Sequence, residues 1–295
     1  MATIAENIQT LRSIKSDIKN AITNKGGSVG NDFKTYAQAI TNLPSGGGGG
    51  TENEDALVQR TISVYSNDRV SVVGDYAFAK CSVLQSVNLL NCTSVGPYAF
   101  YNCISLSYID LPLCEYVDSN AFANCSVLQS VNLPLCKNVL YSAFSNCSAL
   151  KSVDLPLCRI IGSSAFYSCS SLNYVNLPLC ESIHTGAFSK CNSLRTVNFP
   201  NCSIIAARVF ENCNSLITVK LSICELFGGA AFYKCTNLAQ VYLNSVSSVT
   251  TIFSNTFYSC QKLTSVYVPA SLVDAFKTAQ YWSSISNKIV AYTGA

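Results

Sequence analysis

Sixteen cysteines fall at steps of eleven residues through most of a 295-residue chain, and this spacing restricts the fold more than any other feature. One series, Cys81, Cys103, Cys125, Cys147, Cys169, Cys191, Cys213, Cys235 and Cys260, follows a phenylalanine by three residues. Those phenylalanines run from Phe78 to Phe232 at steps of 22, with Phe257 coming after 25. The second series, Cys92, Cys114, Cys136, Cys158, Cys180, Cys202 and Cys224, falls midway. A fixed period of this length specifies a solenoid, whose coils bury against their neighbours what none can bury alone.

Each unit reads A-F-x-x-C-x-x-L-x-x-V-x-L-P-x-C-x-x-V. In V-x-L, the period-2 alternation sends Val131 and Leu133 inward and Ser130 and Asn132 outward, and Pro134 ends the strand because it has no N–H to donate. One strand per coil then stacks into a parallel sheet over columns of Phe, Ala, Leu and Val. The portion L-x-x-V-x-L-x-x-C, as in Leu128, Val131, Leu133 and Cys136, matches the leucine-rich-repeat frame. With A-F-x-x-C before the leucine and L-P after the strand, the unit resembles the BspA-like (Treponema-type) branch over residues 57–269. The fit loosens at the last unit, where Val246 takes a cysteine's place and Thr256 an alanine's.

The thiols suit a scaffold better than a reactive site. Zinc sites gather ligands at spacings such as C-x2-C, whereas these cysteines stand eleven apart and the chain holds one histidine. No metal or other cofactor is expected. A nucleophile would occur once, beside a base. Column neighbours, roughly 4.8 Å apart, meet the distance criterion for a disulfide, so pairing along a column stays an alternative, disfavoured by parallel Cβ vectors. Buried, a cysteine acts as a small hydrophobe with a weak S–H donor, which suits a cramped turn.

The ends are different material. Ile4, Ile8, Leu11, Ile14, Ile18 and Ile22 recur at three- and four-residue steps, predicting a one-sided helix that Gly26 and Gly27 terminate. A second helix from Asn31 or Asp32 would offer Phe33, Tyr36, Ala37, Ile40 and Leu43 on one side. Two short helices bury little against each other, so residues 1–44 are expected to attach to another protein or to assemble identical chains into a homo-oligomer. A glycine-rich linker, 45–55, separates them from the solenoid. Residues 57–74 read as an incomplete first coil, with Ile62 and Val64 standing for the inward pair. In the terminal cap, 270–295, Ser271 is expected to cap a helix over LVDAFKTAQ, ahead of Trp282, Ile285 and a last strand at 289–292. The expected fold class is therefore α+β: a helical hairpin, a linker, and a parallel-β solenoid of about nine coils with a capping helix and strand.

Two resemblances bear on the ends. Residues 8–43, IQTLRSIKSDIKNAITNKGGSVGNDFKTYAQAITNL, resemble the N-terminal attachment segment of gut bacteriophage tail or fibre proteins. Residues 266–282, VYVPASLVDAFKTAQYW, resemble the ending common on BspA-like repeats.

Charge is sparse, 12 % of residues with a formal balance of +3, which points to neither nucleic acid nor a membrane surface. No apolar run reaches the roughly 20 residues that cross a bilayer, and the N-terminus lacks a secretory signal. The outward strand positions pair as Ser86/Asn88, Tyr108/Asp110, Ser130/Asn132, Ser152/Asp154, Tyr174/Asn176, Thr196/Asn198, Thr218/Lys220, Gln240/Tyr242 and Ser265/Tyr267. Tyr108, Asp110, Asp154, Tyr174, Asn176, Lys220, Tyr242 and Tyr267 are the ligand-binding candidates, because burial does not explain aromatics on a rigid sheet. Tyr101, Tyr167, Tyr233 and Tyr258 form a rival stripe on another edge, Lys190, Arg195 and Arg208 a mild basic spot, and His184 a turn.

The expected function is non-enzymatic. The resemblances imply a bacteriophage tail or fibre protein, made in the host cytoplasm and located on the virion, that binds a host-surface glycan or protein; the alternative is a BspA-like bacterial surface adhesin. Hydrolysis by Asp110 and Asp154 is disfavoured, since roughly 10 Å would separate them on an open face.

Overall fold

The structure, a computed structural model, describes residues 63–294. The expected helical hairpin and glycine linker, with every attachment residue from Ile4 to Ile40, lie outside the described residues. From Ser63 onward the chain winds as a regular stack of coils with ten long strands, Val64–Ser66 through Ser265–Val268, all paired in parallel where they pair. The register joins residues 22 apart, as in Tyr108↔Ser130 and Ile109↔Val131, so repeat positions become columns. The V-x-L alternation holds: Val87, Ile109, Val153, Val197, Val219 and Val241 are buried, and the paired polar positions face out.

The first coil departs from expectation by one residue. Tyr65, not Val64, is the inward residue of Val64–Ser66, and Val64 is 59 % exposed. Val64 pairs with the outward Ser86 and Tyr65 with the inward Val87, and a slip of one residue exchanges the two faces of a strand.

The first eight coils also make a second strand, which corrects the expectation of one per coil. Two-residue strands from Val72–Val73 to Leu226–Phe227 form a continuous eight-stranded parallel sheet, built on the closing C-x-x-V of the repeat. The long-strand face is interrupted instead. It divides into four-, two- and five-stranded sheets, with no ladder between Ser130–Asn132 and Ser152–Asp154 or between Tyr174–Asn176 and Thr196–Asn198. Val131 and Val175, beside the two interruptions, are less deeply buried than their counterparts.

A third side of the coil runs through A-F. Alternate N–H groups donate to the next coil, as in Asn120 to Tyr141 O (2.8 Å), Phe122 to Ala143 O (2.7 Å) and Asn124 to Ser145 O (2.8 Å). The residues between them close turns of their own, such as Ala123 N–H to Asn120 O. That alternation requires positive φ two residues either side of the phenylalanine, seen at Asn120 and Asn124, Ser142 and Asn146, and Tyr98 and Asn102. Inside, the phenylalanines from Phe78 to Phe257 stack with nearly parallel rings, centroids 4.9 to 5.8 Å apart.

The far end is closed by Phe276 and Trp282, both buried, with Trp282 packed on Phe257 (5.7 Å) and Phe276 (5.2 Å). Phe276 comes from a helix at Val273–Thr278 that follows a 3-10 turn at Ala270–Leu272. Ser271 lies inside that turn and does not cap the helix, whose N-cap is Leu272 with no side-chain bond. Pro269 starts the helical turn two residues earlier than the sequence suggests. The last strand, Ile289–Ala291, pairs with Ser265–Val268 and stops one residue short of Tyr292.

Two substitutions separate ring burial from backbone strain. Phe144→Ala, which removes one fully buried ring from the stack, should cost about 3–5 kcal/mol in denaturant unfolding. Arg208→Gly, at an exposed position with φ of +59°, should stabilise by on the order of 1 kcal/mol.

Candidate functional site

The thiols occupy the two turns of the coil. In the first series, from Cys103 to Cys260, each S–H donates to the phenylalanine carbonyl of the preceding coil: Cys125 to Phe100 O at 3.1 Å, Cys147 to Phe122 O at 3.1 Å, Cys235 to Phe210 O at 2.9 Å. In the second series the S–H closes the turn into the short strand, as in Cys114 to Tyr116 O at 3.3 Å. Fifteen of the sixteen are buried, Cys260 partly, and no disulfide joins them. Among the described residues no cluster of His, Cys, Asp and Glu is arranged to hold a metal ion. Burial pushes the Cys114, Cys158, Cys202, Cys213, Cys224 and Cys260 thiols up to about 12. These groups are scaffold donors, so recognition falls to outward side chains.

On the long-strand face the ladders place the sequence candidates in two adjoining columns. Tyr108 and Asp110 share one strand, and Asn132 Nδ2 donates to Asp110 Oδ1 at 2.7 Å from the next coil. Tyr174 and Asn176 share another, and Asn176 Nδ2 donates to Asp154 Oδ1 at 2.8 Å. Each tyrosine therefore stands beside an amide–carboxylate pair held across two coils. Tyr108 is 41 % and Tyr174 54 % exposed, and among the described residues no aromatic ring packs on either. Their column neighbours are small: Ser86 and Ser130 flank Tyr108, and Ser152 pairs with Tyr174. Burial first, and then the Asp110 carboxylate, raises the Tyr108 phenol above its ordinary value, so it remains a donor.

Lys220, Tyr242 and Tyr267 form a separate group towards the C-terminal end of the same face. The two rings stack at 4.5 Å, Lys220 Nζ lies 5.7 Å above Tyr242, and Gln240 bonds both hydroxyls at 3.4 Å. Tyr292 meets Tyr242 edge-on at 6.3 Å, a member that the repeat pattern does not reveal because it follows the irregular cap. Here the ring faces are largely covered by one another. Asn132 was also invisible as a site residue until the register placed it against Asp110.

The rival stripe does not form one surface. Tyr101 packs edge-on against Tyr98 (5.5 Å), Tyr167 is bonded by the Lys190 ammonium, and Tyr233 stacks on Tyr258 (5.2 Å), with Ala123, Ser145, Ser189 and Glu211 between. Lys190 keeps its charge while its ammonium donates to the Tyr167 hydroxyl. His184 is exposed at the turn after a short strand. The short-strand sheet adds a surface that sequence reasoning missed: Val72, Tyr116, Ile160 and Ile204 are exposed there, alternating with Ser94, Asn138 and Ser182. Glu115–Lys137 (2.7 Å) and Arg159–Glu181 ion pairs run beside it.

The coil described here matches the family model of the BspA type leucine rich repeat region in six copies, over residues 59–173 and 159–286. The chain belongs to the BspA-type leucine-rich repeat family. Among solved structures, a leucine-rich repeat protein from Bacteroides ovatus is similar at 25 % identity and a TM-score of 0.53, covering 70 % of this chain and 63 % of that one. This chain thus spans less than two thirds of that protein's length. The T. pallidum leucine rich repeat protein is similar at 28 % identity and a TM-score of 0.51, covering 57 % of this chain and 82 % of that one. No curated protein matches the chain. The BspA-type frame accounts for the columns of Phe, Leu, Val and Cys, and leaves the outward pairs free to vary.

The buried thiols set an alkaline limit on this BspA-type coil. Their native-state values lie above the 9.0 of an unfolded thiol, so above pH 9 the unfolded chain binds fewer protons than the native one. Stability should be flat below pH 9 and then fall by up to about 1.4 kcal/mol per thiol for each pH unit. Melting temperatures from pH 7 to 11 measure this, and Cys158→Ala combined with Cys202→Ala should shallow the descent.

Proposed function

We propose that the chain is a non-enzymatic adhesin that recognises a surface ligand with the outward face of its long strands. The observation that carries this reading is the pair Tyr108 and Tyr174, two exposed rings on a rigid sheet, each beside a hydrogen-bonded Asn–Asp pair. Burial does not explain them, and the scaffold holds them at low cost in side-chain entropy. Membership of the BspA-type family supports a binding role, since such solenoids are typically binding scaffolds without catalytic chemistry. Asp110 and Asp154 each accept an Asn amide on an open face, an arrangement suited to hydrogen bonding rather than to paired acid and base catalysis.

In this reading residues 1–44 attach the solenoid to a larger assembly, or to identical chains, and the glycines give it reach. Weak single contacts then suffice, because several copies on one surface raise avidity through effective concentration. The family supports a bacterial cell surface as that assembly; the virion alternative rests on the likeness of residues 8–43 to phage attachment segments.

Tyr108→Ala, Tyr174→Ala and Tyr242→Ala, tested in adhesion to whole cells, check the assignment. The first two should each lower adhesion at least tenfold with an unchanged melting temperature, and Tyr242→Ala should lower it less. Adhesion unaffected by Tyr108→Ala and Tyr174→Ala would remove the site from this face.

A further inference from the structure

The solenoid carries a second period, three coils long. Gly96, Tyr101, Tyr108 and Glu115 recur 66 residues later as Gly162, Tyr167, Tyr174 and Glu181, and the glycine and first tyrosine return again as Gly228 and Tyr233. The glycines mark a packing requirement. A Cβ would lie 2.6 Å from the Leu140 backbone at Gly162, 2.4 Å from the Ala207 backbone at Gly228, and 3.0 Å from Val73 O at Gly96. The second period is therefore built into the winding as well as the surface.

Its outward consequence is two uncovered rings in the same phase on one face. The polar pairs lie between the rings and in opposite order: Asp110, on the Tyr108 strand, accepts from Asn132 of the next coil, and Asn176, on the Tyr174 strand, donates to Asp154 of the coil before. Three strand steps separate the rings, about 14 Å along the solenoid. Between them the floor is Ser130 and Ser152, small hydroxyls at the step where the long-strand ladder is interrupted.

We propose that these are two subsites for one linear, neutral, repeating glycan lying along the solenoid axis, a reading that rests on the long-strand face being the binding face. An uncovered tyrosine offers a flat apolar surface to the C–H side of a pyranose ring, and an Asn–Asp pair offers a donor and acceptors to neighbouring ring hydroxyls. A regular polymer presents the same ring face again at a fixed distance, which suits two tyrosines in one phase, and its hydroxyls between those rings meet the two Asn–Asp pairs. Asp110 and Asp154 set the charge: carboxylates in both subsites repel an acidic polymer and accept freely from neutral hydroxyls. The ligand must be long enough to span about 14 Å, which a single sugar does not.

Isothermal titration of the whole chain with glucose, N-acetylglucosamine and mannose, each as monosaccharide and as β-linked oligomers up to the hexamer, tests this directly. In one series, the monosaccharide should bind weakly with a stoichiometry of two and the hexamer with a stoichiometry of one, at least about 100-fold tighter. Tyr108→Ala or Tyr174→Ala should each reduce the monosaccharide stoichiometry to one and remove the gain with length, and the double variant should bind neither. Hyaluronan oligomers of equal length should bind at least tenfold more weakly. Affinity that does not grow with length, or single variants that leave the gain intact, would overturn the two-subsite assignment. If no saccharide binds while Tyr108→Ala still lowers adhesion to cells, the ligand is a protein: the glycan assignment fails and the binding face stands. If neither saccharides nor adhesion respond, both fail.

Discussion

The structure depends on hydrogen bonding from coil to coil, continuous along the A-F turns and the short strands and interrupted at two steps of the long-strand face. The alternating turns around A-F donate to the next coil, the short strands donate back to the coil before, as Asp118 N–H does to Val95 O (2.9 Å), the long strands bond both ways where they pair, and the first thiol series adds an S–H bond to the coil before. A buried backbone amide without a partner costs as much as several favourable contacts recover, so a coil of 22 residues survives only with a neighbour in register. The register in turn requires identical geometry in every coil. That requirement explains why the inward positions scarcely vary while the outward ones do. It also explains positive φ at residues as unsuited to it as Tyr98 and Arg208: the alternate N–H groups there reach the next coil only if the backbone turns left-handed.

Cysteine answers a local problem in this scheme. The phenylalanine carbonyl already accepts the amide of the cysteine three residues on, as Phe122 O does from Cys125, and has a second lone pair facing the core. Cys147 fills that position with a small apolar group and a weak donor together. Burial then keeps the thiol protonated, and the scaffold remains chemically quiet. A rigid, inert core of this kind converts outward side chains into an array of fixed pitch, where a change at one position alters recognition without disturbing the winding.

Much of this was legible in the chain itself. The column positions, the inward and outward strand pairs, and Tyr108, Asp110, Tyr174 and Asn176 as surface residues follow from V-x-L alternation, because a three-residue strand with one buried face has one register. The short strands were not legible, since two residues carry no periodicity. Val64 was misplaced because the first coil lacks the cysteine and leucine landmarks that fix phase elsewhere, and Ser271 because a 3-10 turn from Pro269 took the helix start. The Asn132–Asp110 and Asn176–Asp154 pairs are contacts between coils, which only the parallel register reveals. The three-coil recurrence of Gly96, Tyr101 and Tyr108 was present in the letters, hidden beneath the stronger 22-residue signal.

Thiol labelling of the native chain by a membrane-impermeant maleimide, read by mass spectrometry residue by residue, tests the coil-to-coil account most directly. The cysteines from Cys92 to Cys235 should stay unlabelled in buffer and become labelled together across one unfolding transition in denaturant, with Cys260 alone reacting earlier. Labelling of interior members such as Cys147 or Cys158 under native conditions, or their recovery as disulfides or with bound zinc, would contradict it.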